Sequence, residues 1–176
     1  MIDPVQWAHT FTTAVEFEAA VLSDCERHIG CDVGFLSILG REATPSVFGL
    51  DTATVKQAVA GSAVYAQELM PVKRAALARR GVAVDSDVLG VASVRKTRYF
   101  REVAARAGGS HSLFAYLTWR GRPYGMLMLG NRGRAFSPTQ IERVEAMLPA
   151  LGVARAAYGI PQPSPVLGGS PTGAFT

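Results

Sequence analysis

The stretch from Ser112 to Asn131 does most to limit the folds open to this chain. Ser112 to Trp119 and Pro123 to Asn131 are two runs of alternating character joined by Arg120-Gly121-Arg122, the pattern of a tight antiparallel hairpin. Side chains two apart share one face of a sheet. Leu113, Ala115 and Leu117 therefore fall with Leu127 and Leu129 on an aliphatic face, which Leu36 and Ile38 continue from a further strand over Val33 to Leu39. The opposite face carries Phe35, Ser37, Ser112, Phe114, Tyr116, Thr118, Tyr124, Met126 and Met128. The aliphatic face suits packing against helices. Rings, hydroxyls and adaptable Met side chains suit the lining of a small-molecule pocket, and they equally suit a thinner second core.

Helices are signalled at both ends of the folded part. Asp3 and Pro4 cap a first helix expected to run to about His28, with Gly30 as its stop. Val5, Ala8, Val15, Ala19 and Leu22 lie along one of its lines and Phe11, Ala14, Phe17 and Val21 along a neighbouring one, a band wide enough for two contact surfaces. Ser137-Pro138-Thr139-Gln140 is a capping box for the last helix, and Phe136 with Ile141 forms a hydrophobic staple. Its stripe of Ile141, Val144, Leu148 and Leu151 is widened by Met147, Ala150, Val153, Ala154 and Ala157. Such breadth fits either a deeply buried helix or a homodimer bundle built from the terminal helices of two copies. Short strands are also expected over Ser46 to Gly49 and Gly81 to Asp85, with helical stretches from Asp51 to about Ala60, Ala66 to Arg80 and Lys96 to Ala107. Helices flanking a largely antiparallel sheet make an α+β domain.

Residues 159–176 hold four Pro and four Gly and no charge, which reads as an extended, disordered linker or tail after one folded unit of residues 1–158. No apolar run approaches a membrane span, and the N-terminus has no basic segment before an apolar one. With two cysteines, too few for a disulfide framework, a soluble cytoplasmic protein is expected. The formal charge of +4 hides a division: residues 1–72 carry three basic and nine acidic side chains, and residues 73–158 carry fifteen and five. A basic second half could attract an anionic ligand or another subunit's acidic half.

The order of parts resembles a GAF domain. The resemblance rests on the long opening helix, the strand Cys31-Asp32-Val33-Gly34-Phe35-Leu36-Ser37-Ile38-Leu39, the hairpin segment W-R-G-R-P-Y-G-M-L-M-L-G and the F-S-P-T-Q helix start, and it covers nearly all of residues 3–158. The middle segment GVAVDSDVLG and the later RYFREVAARAG look like the GAF domains that precede LuxR-type helix-turn-helix domains in bacterial regulators. The resemblance implies a GAF/PAS-like central antiparallel sheet, with terminal helices that often dimerise on one face and ligand-pocket helices on the other. It implies a sensory role in a signalling or transcriptional regulator, with DNA read only through a C-terminal output domain that this sequence lacks. It names no ligand or cofactor, which stay unknown.

Chemistry-bearing motifs are sparse. Cys25-x-x-His28-x-x-Cys31 offers only three metal ligands, and Gly30 breaks their helix, so buried structural cysteines are the expectation and no metal is assigned. The cysteines that methionine sulfoxide reduction or bilin attachment would need later in a GAF domain are absent, as is an Asn-Lys-Phe-Asp-Glu motif. No nucleophile triad, G-x-S-x-G or phosphate loop occurs, so no catalytic residue is assigned and the chain is expected not to be an enzyme. Asp85 and Asp87 either face a cavity mouth or cap the next turn. Arg95, Arg98 and Arg101 are spaced to share a helix face, and no stacking platform accompanies the basic residues. The ligand-binding residues expected are Phe35, Ser37, Tyr65, Tyr99, Phe114, Tyr116, Met126 and Met128. A GAF-fold dimerisation or protein-interaction module without a ligand is the alternative.

Overall fold

The computed structural model describes residues 10–11, 13–38, 45–79, 81–119 and 122–157. The expected Asp3-Pro4 helix start, the Arg120-Gly121 turn and the linker over 159–176 lie outside these. The single opening helix expected to run to about His28 is interrupted: Phe11 and Thr13 are not helical, and α1 (Ala14–Asp24) begins at its own capping box, Glu16 N donating to Thr13 Oγ1 at 3.2 Å and Thr13 N to a Glu16 carboxylate oxygen at 3.3 Å. A π-helical turn (Cys25–Ile29) follows and ends, as expected, at Gly30, whose φ of 72° suits a residue without a Cβ.

Five antiparallel strands form one sheet in the order β2-β1-β5-β4-β3, with β1 Val33–Ile38, β2 Ser46–Phe48, β3 Val82–Val84, β4 Gly109–Trp119 and β5 Arg122–Arg132. Register aligns the alternation of each strand with its neighbours. Leu36 pairs with Leu127, Leu127 with Ala115 and Ala115 with Val82, a row that runs across four strands on one face. One residue along, Phe35, Met128, Phe114 and Ala83 make the matching row on the other face.

Each face has its own core. The aliphatic row packs with Phe17, Val21 and Cys25 of the α1 region and with Val144, Leu148 and Leu151 of the last helix, α7 (Pro138–Ala157). That helix starts at the expected capping box, Gln140 N donating to Ser137 Oγ at 3.3 Å and Ser137 N to Gln140 Oε1 at 3.0 Å. The Gln140 amide also donates to Ile29 O at 3.0 Å, tying the start of α7 to the end of the π turn. On the second face lie α2 (Thr52–Ala60), α3 (Ser62–Glu68), α4 (Met70–Ala78), the short α5 (Asp85–Leu89) and α6 (Val91–Val94), and a π turn (Phe100–Ala104). Asp51 caps α2 through a 2.7 Å bond from Thr54 N.

Two further helical expectations are corrected. The stretch from Ala66 to Arg80 is not continuous: α3 stops at Glu68, and α4 restarts with Pro71 in its first turn, where a missing N–H costs least. Lys96 to Ala107 is not one α-helix, because Ala105 N bonds Phe100 O, five residues back, at 2.8 Å. The three-residue spacing of Arg95, Arg98 and Arg101 consequently does not place them on one helical face; Arg98 instead pairs with Glu102 at 2.9 Å.

Candidate functional site

Seven of the eight residues expected to bind a ligand line one cavity of about 160 Å³ between the sheet and the middle helices: Phe35, Ser37, Tyr65, Tyr99, Phe114, Met126 and Met128. The strands supply five of these from alternate positions of β1, β4 and β5, while α3 supplies Tyr65 and the turn before Phe100 supplies Tyr99. Leu50, Ala58, Ser62, Ala66, Leu69, Lys73 and Val103 complete the wall. Tyr116, the eighth, is buried in the same apolar cluster but does not line the cavity; burial pushes its phenol up to about 12.

Tyr99 is central to the site. Its ring lies edge-on to Tyr65 with centroids 6.1 Å apart, and is tilted against Phe114 at 5.9 Å. Its hydroxyl donates to Met128 Sδ at 2.8 Å and lies 3.0 Å from Ser112 Oγ. Ser112 N in turn donates to Asp85 Oδ1 at 3.1 Å, and Ser86 N to the same oxygen at 2.7 Å. Asp85 is 1% exposed, and its Oδ2 is buried without a hydrogen-bond partner. Burial raises its carboxyl above the ordinary range, although the two backbone donors pull it down. Asp85 thus braces the polar back of the aromatic cluster and is the first residue of α5, whose N-cap is Val84 with no side-chain cap bond, so it serves as a buried brace and not as the helix cap expected.

A polar clasp closes the side of the cavity away from the sheet. Glu102 accepts from Tyr65 Oη at 2.6 Å, from Gln57 Nε2 at 2.9 Å and from Arg98 Nε at 2.9 Å. Glu68 accepts the N–H groups of Arg98 and Tyr99 at 3.0 Å each. The Arg98 guanidinium, followed by the Tyr65 hydroxyl, holds the Glu102 carboxyl down to about 2. Its folded value being depressed, Glu102 contributes stability above the ordinary carboxylate range and loses it as pH falls towards about 2. Tyr65→Phe removes one member while keeping the ring. The expected result is a loss of about 1–2 kcal/mol in urea unfolding, typical of a hydrogen bond to a charged acceptor, with faster amide exchange confined to the Phe100–Ala104 turn.

Gln57, Glu68, Lys73 and Glu102 are the site residues that sequence reasoning missed. Lys73 had a local signal, since it follows Leu69 by four and Val72 by one on a helix face that ends at Ala76, all three of them buried. Glu102 had one as well, standing four residues after Arg98, whereas Gln57 and Glu68 had none, because their partners are eight to forty-five residues away.

Cys25, His28 and Cys31 do not converge. Both thiols are buried, Cys31 Sγ donates to Cys25 O at 3.3 Å, and His28 turns outward to Asp24 at 2.9 Å. Desolvation pushes Cys31 up to about 12 and Cys25 further. Several arginines cap carbonyls: Arg132 reaches Ala107 O and Gly49 O, Arg134 reaches Gly30 O and Arg143 reaches His28 O, at 2.6–3.0 Å. No helix among the described residues is long and apolar enough to cross a membrane.

The sequence matches no model of a known protein family and no characterised protein. Solved structures do match. The VqsR LBD domain from Pseudomonas aeruginosa superposes with a TM-score of 0.61 at 18% identity, over 88% of this chain and 93% of that one. The GAF domain of the cyanobacteriochrome TePixJ gives 0.55 at 10% identity over 91% and 99%. SdiA from Escherichia coli gives 0.53 at 14% identity over 99% of this chain and 74% of its own. At such identities the likeness speaks for the fold. The five-stranded antiparallel sheet, the terminal helices on its aliphatic face and the cavity on the other make this chain an α+β domain with the GAF fold.

Proposed function

We propose that this chain is a non-enzymatic small-molecule-sensing domain of a bacterial signalling or transcriptional regulator. The observation that carries this is the aromatic cavity of about 160 Å³, whose roof is held by hydrogen bonds among α2, α3 and the Phe100–Ala104 turn. A molecule seated there touches the roof and the sheet together, so its binding free energy biases how those segments sit. The terminal helices pack on the far side of the same sheet and carry the change outward. Support for a binding rather than a catalytic role comes from the thiols, buried and held protonated, and from the carboxylates, engaged in bracing the fold.

The domain works as a homodimer through its terminal helices, in the cytoplasm, and reaches DNA only through an output domain outside these 176 residues. Of the two apolar lines on α1, Phe17 and Val21 are buried, whereas on the other Val15 is 60% exposed and Ala19 is exposed, with Leu22 buried at its end. On α7, Ala146, Met147 and Ala150 line a groove shared with Asp24, Arg27 and His28. The outward line and the groove provide the apolar surface a second copy would cover.

Native mass spectrometry of the purified protein tests the reading in one spectrum: a dimer mass carrying a co-purifying small molecule is expected. Val15→Glu should shift the population to monomer without lowering the monomer's thermal stability. A dimer whose aromatic face stays empty with every small molecule tried would instead favour a GAF-fold interaction module.

A further inference from the structure

Lys73 is out of place for its position. It lies on the inward face of α4, between Leu69 at 3% exposure and Ala76 at 0%, with Val72 at 0% beside it. It is half-buried and lines the cavity. Among the described residues no carboxylate pairs with it and no hydrogen bond from its ammonium group is recorded. Arg98, on the same side of the sheet, is by contrast engaged with Glu102. Desolvation alone moves the Lys73 ammonium below its ordinary range, the mark of a charge given nothing in return for the water it loses.

A half-buried cation without a counter-ion is costly, and a methionine or leucine would fill the same face without that cost. The remaining wall is aromatic and aliphatic, with the hydroxyls of Ser37, Ser62 and Tyr65. The volume of about 160 Å³ is close to that of an engineered apolar cavity, roughly 150 Å³, that accommodates benzene.

We infer that the cavity takes a small monoanion made of one aromatic ring and one carboxylate, the ring lying among Phe35, Tyr99, Phe114 and Met126 and the carboxylate meeting Lys73. This rests on the sensing role proposed above and adds the ligand's chemical class and the residue that selects it. A carboxylate supplies the missing counter-charge in a poorly hydrated site, where a charge-assisted hydrogen bond is strongest. The ring replaces water against faces that cannot hydrogen-bond.

The test is calorimetric titration of the full chain with three probes: sodium phenylacetate, its neutral isostere phenylacetamide, and ethylbenzene as the bare ring. Each is repeated with Lys73→Met and Lys73→Arg. Wild type is expected to bind phenylacetate about tenfold or more tightly than phenylacetamide. Lys73→Met should abolish that preference while still taking the neutral probes, and Lys73→Arg should keep it. Equal affinity of wild type for charged and neutral probes, or a preference that survives in Lys73→Met, overturns the assignment to Lys73 and leaves the cavity a binding site for neutral molecules. Failure of all three probes to bind overturns the ligand class, and an empty cavity in the native mass spectrum as well would overturn the sensing role.

Discussion

Leu127→Ala lowers the unfolding free energy by about 2–5 kcal/mol, the loss expected when a fully buried leucine of the sheet is truncated. Leu127 is fully buried, stands in register between Leu36 and Ala115, and faces the layer formed by α1 and α7. Its neighbours come from three strands and two helices whose backbones are fixed by ladder and helix hydrogen bonds, so they cannot close over the space left behind. Urea titration should show a lower midpoint with an unchanged slope, because the surface exposed on unfolding hardly changes. Met126→Ala, one position away and on the other face, provides the control. Met126 is only partly buried and already borders empty space, so its truncation should cost less than half as much. Equal losses at the two positions would contradict a domain with one close-packed face and one hollow face.

Asp85 carries the second large effect. Replacing it with alanine leaves Ser86 N and Ser112 N without their acceptor, and a loss of about 2–6 kcal/mol is expected at about one to three per orphaned donor. The loss should be accompanied by weaker amide protection at Ser112, and Tyr99 should lose its fixed partner Ser112 with it. Asp85→Asn keeps an oxygen for the two donors and removes the charge, so it isolates the electrostatic part. Because burial raises the folded-state carboxyl above its ordinary value, the contribution of Asp85 is fully present below that ordinary value, near pH 4, and is lost as pH climbs through the raised one. The Tm of wild type relative to Asp85→Asn should therefore fall as the pH is raised from 4 and level off above the folded value. A difference that grows with pH would mean that the backbone donors outweigh desolvation.

The division of the sheet into two faces was legible because strand alternation is local. Leu113 to Leu117 and Leu127 to Leu129 needed no knowledge of their partners to be placed opposite Phe114, Tyr116, Met126 and Met128. The helix starts at Asp51 and Ser137 were equally local, each being a side chain within three residues of the N–H it accepts. Thr13 escaped notice although its box with Glu16 has the same form, because Asp3-Pro4 offered an earlier start and no local rule chooses between two cap signals ten residues apart. The Phe100–Ala104 turn also escaped, since its composition is that of an ordinary helix and its geometry coincides with anchors far along the chain, the Glu68 carboxylate on Tyr99 N and the Glu102 clasp.

Gly34 and Gly152 show the same boundary at single residues. In sequence Gly152 is a weak point in a helix, yet a Cβ there would sit 2.5 Å from Thr118 O, so its absence lets α7 touch β4. A Cβ on Gly34 would collide with the Phe48 ring of the edge strand. Periodicity over neighbouring residues was enough to separate the aliphatic from the aromatic face, to place five of the residues that line the cavity and to predict an α+β fold, while the GAF type rested on the resemblance of the motifs. The volume of that cavity, the clasp at Glu102, the burial of Asp85 and the unpaired Lys73 came from folding, because each depends on segments tens of residues apart meeting at hydrogen-bond distance. Alternation assigns a side chain to a face; what stands opposite, and whether it leaves space or charge uncompensated, is set by how the layers close.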